Sequence, residues 1–115
     1  MARVLLVDDD LDALEIRKRI FEKEGHYVVA APTAARAREH FLAESPDSVI
    51  LDLRVPDLDD GLALIREFRV ASRELKIVVL AGWCADLEGR SERALVDVIL
   101  SKPVRSELLL RAIRV

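Results

Sequence analysis

The sequence predicts an α/β domain built on one doubly wound, five-stranded parallel sheet. Three observations lead there. Short apolar runs recur along the chain (VLLV, YVVAA, SVIL, KIVVL and DVIL). They lack the polar alternation of a half-exposed sheet and read as strands covered on both faces. A stretch long enough for a helix separates each run from the next, the pattern of successive βα units.

The elements follow in order. Strand 1 occupies residues 3–7. A helix over 11–24 comes next, with Asp10 placed to cap it and Gly25 to end it in a left-handed turn. Strand 2 covers 27–31; Pro32 stops it, and Thr33 caps a helix over 34–43. Strand 3 covers 47–53, RVPDLDD is loop, and a helix spans 61–70. Strand 4 covers 76–80. GWCADLEGRSERAL holds a further helix, which Gly89 weakens by about 1 kcal/mol relative to alanine. Strand 5 covers 96–100, and the last helix covers 105–113. Right-handed crossovers leave few topologies. The common small solution is strand order 2-1-3-4-5, a flavodoxin-like (βα)5 fold. Such sheets bind ligands at the carboxyl ends of the strands, where the order reverses between strands 1 and 3.

Bulk composition narrows the function classes. A length of 115 residues suits one domain, residues 1–115. The chain is 51% hydrophobic and 34% charged, a globular composition. Its net charge of −3 argues against a nucleic-acid surface. No apolar run approaches the roughly 18 residues of a membrane span, and the N-terminus has no signal-peptide pattern. Cys84 is the only cysteine, so no internal disulfide or thiolate cluster forms. It reads as a small, partly buried apolar residue, and the expected compartment is the cytoplasm.

The strand ends carry the chemistry. Strand 1 runs straight into Asp8, Asp9 and Asp10. Two like charges about 4 Å apart cost about 4 kcal/mol at an effective dielectric near 20, so a positive partner is needed. Alone, such a run is a helix cap and dipole partner. Strand 3 ends at Asp52, however, and strand 5 leads into Ser101, Lys102 and Pro103. In the proposed order these residues converge on one crevice, where Lys102 is the candidate cation. A cluster of carboxylates facing one ammonium suits Mg²⁺ (or Mn²⁺), which takes carboxylate, water and phosphate oxygens. A carboxylate beside such an ion can attack a phosphoryl group, with metal and lysine offsetting the charge.

LLVDDD, VILDLRVPD and SKP, each at the end of its strand, resemble the receiver domain of two-component response regulators. The resemblance covers essentially the whole chain. It implies Asp52 as phosphoacceptor, with Lys102 pairing first with that carboxylate and then with the phosphoryl group. It implies Asp8, Asp9, Asp52 and the backbone carbonyl of Arg54 as metal ligands, with Asp10 peripheral. Backbone N–H groups of Leu53 and Gly82 would contact the phosphoryl group, and Pro103 would follow a cis peptide. The implied partners are a sensor histidine kinase or phosphotransfer protein and an effector domain or protein. The effector would meet a face formed by the helix before strand 5, strand 5 and the last helix. A second copy of the chain is a further candidate partner; nucleic acid and membrane are not expected.

The sequence departs from the family at several positions. Ala81 stands where receivers carry Ser or Thr, so the hydroxyl that would bond a phosphoryl oxygen is absent. Such a bond is worth roughly 1.5–3 kcal/mol. Ile99 stands at the switch-aromatic position, three residues before Lys102. The 52–61 loop is one residue longer than the usual pattern. The 80–102 stretch is one shorter, so its helix is expected to be short or displaced. At the rim of the site, Arg54 is either a second cation or solvated. Trp83 either covers the crevice or, as favoured here, packs on the neighbouring helix. His26 and His40 read as surface or packing residues.

Three functions compete. The leading one is a phosphoacceptor switch, with self-phosphorylation and autodephosphorylation but no enzyme activity of its own. The second is a pseudo-receiver that acts as a phosphorylation-independent interaction or dimerisation module, motivated by Ala81 and Ile99. The third is an aspartate-nucleophile phosphohydrolase in which Asp8 attacks and Asp10 is the general acid.

Overall fold

The computed structural model describes residues 2–114. The side chain of Cys84 lies outside the described residues, and with it the reading of that thiol as an apolar group. The chain forms β1 (Arg3–Val7), α1 (Leu11–Lys23), β2 (Tyr27–Ala31), α2 (Ala34–Glu44), β3 (Ser48–Asp52), α3 (Leu58–Ala71) and β4 (Lys76–Ala81). Two single-turn 3₁₀ helices, Cys84–Leu87 and Ser91–Leu95, lead to β5 (Val98–Ser101) and α4 (Ser106–Ala112). The strands are all parallel, in the order β2-β1-β3-β4-β5.

Local chemistry explains where the helices begin and end. Asp10 accepts from the N–H groups of Asp12 and Ala13 at 3.1 and 3.2 Å, satisfying two of the donors that a helix N-terminus leaves open. Gly25, just beyond α1, sits at φ +91°, where a side chain is disfavoured. Thr33 caps α2 through a 3.1 Å bond from the Arg36 N–H.

The sheet separates two apolar layers, and side-chain alternation assigns each strand residue to one of them. Val4, Leu6, Ile50, Val78 and Leu80 face α1 and α4, where Leu14, Phe21, Leu109 and Ile113 cover them. Leu5, Val7, Val49, Leu51, Ile77, Val79 and Ala81 face α2 and α3, which contribute Ala37, Leu62, Ile65 and Phe68. Phe41 stacks on Phe68 at 4.4 Å between ring centres and ties the two helices together.

Two boundary expectations fail. Helix α3 begins at Leu58, three residues before the expected start, because Asp59 and Asp60 complement the helix N-terminus instead of extending the loop. β5 begins at Val98 rather than 96, since Val96 turns into the core with the preceding segment.

The larger correction concerns residues 82–97. No α-helix forms there, so the described residues hold four α-helices rather than five. An apolar stripe needs residues three and four positions apart. From Leu87 those positions hold Arg90 and Ser91. Gly89, at φ +71°, divides the segment into two turns. Leu87, Leu95 and Val96 still reach the α2/α3 layer. Three arginines hold the rest: Arg54 on Asp86, Arg66 on Glu92, and Arg69 on the Leu95 carbonyl and Asp97. The expected effector face therefore has two 3₁₀ turns in place of an α-helix directly before β5.

Candidate functional site

The alternation that builds the core also builds the site. Asp8 continues the Val4–Leu6 parity of β1, Asp52 the Ile50 parity of β3, and Lys102 the Leu100 parity of β5. All three emerge at the carboxyl ends of the strands on the α1/α4 side. Asp8, Asp9 and Asp52 each offer a carboxylate oxygen within 4.8 Å of the others. Lys102 places its ammonium 2.7 Å from Asp52 Oδ2. The peptide before Pro103 is cis, as expected, and so is the peptide before Pro56, which was not foreseen.

A second cation belongs to this cluster. Arg17, on α1, places Nη1 2.8 Å from Asp8 Oδ2, while the Asp10 N–H donates to Asp8 Oδ1 at 2.9 Å. Sequence reasoning missed this residue, although helical period marks it. Arg17 lies three residues after Leu14 and four before Phe21, the two buried positions of α1. A basic residue on an apolar helix face needs an anion there.

Three carboxylates facing two cations leave one negative charge in excess. Asp52 carries the strain. Burial pushes its carboxyl above the usual range, and the nearby Asp8 charge adds to that. Lys102 and a long contact from the Arg54 N–H, 3.4 Å from Asp52 Oδ1, oppose the shift. The donor set fits a hard divalent cation. Each carboxylate oxygen has two lone pairs, so the bonds to Arg17 and Lys102 do not exhaust Asp8 and Asp52. Asp9 is exposed beside them. Among the described residues this is the one acidic cluster of that geometry.

The other site residues divide. Arg54 is not a second cation for the cluster: its Nε and Nη2 grip the Asp86 carboxylate at 3.0–3.2 Å. The Leu53 N–H is committed to the Leu80 carbonyl at 2.9 Å, so its expected phosphoryl contact is not poised in this structure; the strand ladder takes the donor first. Gly82 is exposed at the end of β4. Trp83 is 68% exposed and does not pack on a neighbouring helix, because the helix it was expected to meet does not form. Ala81 is buried, and Ile99 packs against the α2/α3 layer on the same side of the sheet. His26 accepts the Ala2 N–H through Nδ1 at 3.0 Å and contacts the Phe21 ring, a packing role.

Comparison with known proteins agrees with this geometry. The family model described as response regulator receiver domain matches residues 4–114. The virulence transcriptional regulatory protein PhoP of Salmonella typhimurium is 36% identical over 110 residues, covering 93% of this chain and 48% of PhoP. The chain thus spans about half the length of the curated relatives it matches first. A response regulator receiver domain protein from Clostridium thermocellum superposes with a TM-score of 0.86 at 27% identity, covering 98% of this chain and 91% of that one. Response regulator protein TrrA from Thermotoga maritima, solved in complex with Mg²⁺-BeF, superposes with a TM-score of 0.83 at 26% identity, covering 96% and 95%.

Proposed function

The chain belongs to the response regulator receiver domain family of two-component signalling, and from that premise we propose that it accepts a phosphoryl group on Asp52. The observation that carries this reading is the Lys102–Asp52 pair standing beside Asp8 and Asp9. The site supplies each part the transfer needs. An oxygen of Asp52 attacks the phosphorus of a phosphohistidine on a partner kinase or phosphotransfer protein. A P–O bond forms, the P–N bond breaks, and its electron pair leaves on the imidazole nitrogen. Lys102 then turns from the carboxylate to the transferred phosphoryl oxygens. The Gly82 N–H adds a backbone donor. Arg17 pairs with Asp8 Oδ2 at 2.8 Å.

Asp8, Asp9, Asp52 and the Arg54 carbonyl would hold the divalent cation. When bound, it neutralises the leftover charge of the cluster and that developing on the phosphoryl oxygens. Mg²⁺ suits this set best, as the complex solved for TrrA suggests by analogy. The domain has no turnover chemistry of its own beyond taking and losing the phosphoryl group. The chain carries no helix long and apolar enough to cross a membrane among its described residues. A cytoplasmic regulator that meets a kinase and an effector accords with this.

Incubation with acetyl phosphate and Mg²⁺, read by intact mass, tests the proposal. One phosphoryl adduct is expected on the native chain and none on Asp52→Asn. Equal labelling of both would refute the assignment.

A second reading is favoured by the pairing of Ala81 with Ile99, which removes both groups of the usual switch. In that case the domain is a pseudo-receiver that contacts its partner or a second copy without phosphorylation. An intact chain that takes no adduct yet still binds its partner would establish it.

A further inference from the structure

The 82–97 segment is fastened at its two ends by different parts of the molecule. Its second turn is held by α3. Arg66 pairs with Glu92, and Arg69 donates to the Leu95 carbonyl at 2.9–3.0 Å and to Asp97 at 2.8 Å. Its first turn is held by the acidic site. The Arg54 fork grips Asp86, whose side chain is only 8% exposed while that of Arg54 is 56% exposed. Gly89 lies between the turns at φ +71°. The first turn itself is closed by two weak 3₁₀ bonds, Asp86 N–H to the Trp83 carbonyl and Glu88 N–H to the Ala85 carbonyl, both 3.1 Å, and Arg90 Nε donates to the Asp86 carbonyl at 2.8 Å.

Arg54 belongs to both places. Its backbone N–H lies 3.4 Å from Asp52 Oδ1, and its side chain is the clamp on Asp86. A phosphoryl group on Asp52 replaces a single negative charge with about −1.5 to −2 and adds acceptor oxygens. A planar guanidinium fork matches those oxygens at least as well as it matches a carboxylate. A fork that turns to Asp52 surrenders its two-pronged hold on Asp86, and a nearly buried carboxylate is left without its cation. Leu87 stays in the core, so the consequence is loosening of the first turn rather than extraction of the segment.

From these contacts we infer that Arg54 is the switch element of this domain: it clamps Asp86 in the unmodified protein and transfers to the phosphoryl group on Asp52, loosening the first turn of the 82–97 segment. The role left open by Ala81 and Ile99 then falls to a charged side chain. Residues 83–88, with exposed Trp83 at their head, become the surface that reports the state of the site. The inference rests on the phosphoacceptor reading.

Amide hydrogen exchange at Asp86 and Glu88, measured with and without Mg²⁺ and beryllofluoride, tests it. In the native chain exchange should rise about ten- to a hundredfold on adding the mimic, the weight of a charge-assisted hydrogen-bonded clamp. Leu95 and Val96, fastened through α3, should not change. Arg54→Gln and Asp86→Asn should exchange fast at Asp86 or its replacement and at Glu88 without the mimic, and gain nothing further from it. The near-isosteric Asp86→Asn carries the comparison if Arg54→Gln folds poorly. Fluorine NMR reports separately whether beryllofluoride is bound. Bound mimic with exchange unchanged at both amides, or variants that respond like the native chain, would overturn the switch while leaving the phosphoacceptor intact. No bound mimic would remove both.

Discussion

The Lys102 ammonium stands 2.7 Å from Asp52 Oδ2, although fifty residues of chain and one strand, β4, separate them. The lysine crosses the end of β4 to do this. Leu80, the β4 residue registered with Asp52, is apolar and offers the carboxylate no partner of its own. The pair therefore decides how much an ionised Asp52 costs the fold.

Lys102→Met should lower stability at neutral pH by about 1–3 kcal/mol. This is less than the 3–5 kcal/mol for breaking a fully buried pair, because Lys102 is one-third exposed. Mg²⁺ should recover part of the loss and raise the midpoint of the variant more than that of the native chain. Denaturant melts with and without Mg²⁺ check this; equal metal response in both proteins would contradict it.

Arg17 shares Asp8 with any metal that binds there. Arg17→Met should destabilise the metal-free protein by about 1–3 kcal/mol, since Asp8 is buried and keeps only the Asp10 N–H. The same variant should bind Mg²⁺ more tightly, because a competing cation is gone. Calorimetric titration reads the affinity, and weaker binding would show that Arg17 orients Asp8 for the ion rather than competing with it.

Asp52 makes stability depend on pH with a definite sign. Burial and Asp8 raise its carboxyl in the folded chain above its unfolded value. Between the two values the folded state holds more protons, so stability falls as pH rises through the folded value. The cost is complete above that value and absent below the unfolded value near 4. Asp52→Asn removes it. The variant should be more stable than the native metal-free chain at pH 7, with the difference closing as pH falls. A difference that widens on acidification would reverse the assignment.

Gly61 sets how closely α3 approaches the site. A Cβ there would lie 1.7 Å from the Leu53 carbonyl oxygen and 2.6 Å from its carbon, whereas one at Gly82 meets nothing within 4 Å. Gly61→Ala must push α3 off the residue that follows Asp52. It should cost at least about 1–3 kcal/mol, while Gly82→Ala stays within about 0.5 kcal/mol. Similar melts for the two variants would show that α3 shifts without penalty.

Much of this molecule was readable from residue order. Strand order follows from apolar runs and handedness. Asp8, Asp9, Asp52 and Lys102 are legible because each ends a strand, and strand ends in such sheets share one edge of the molecule. The caps Asp10 and Thr33 and the turn at Gly25 are local chemistry, complete within a few residues.

The partners of the arginines were not readable in this way. Arg17 meets Asp8 nine residues away, Arg54 meets Asp86 across 32, and Arg66 meets Glu92 across 26. Many acids lie within reach of a long side chain in one dimension, and only packing selects among them. The same is true of residues 82–97, whose local pattern neither builds an amphipathic helix nor excludes one. Periodicity and turn chemistry act over a few residues and are therefore written into the chain, whereas a charge finds its counter-charge only after the sheet and helices have brought distant residues together.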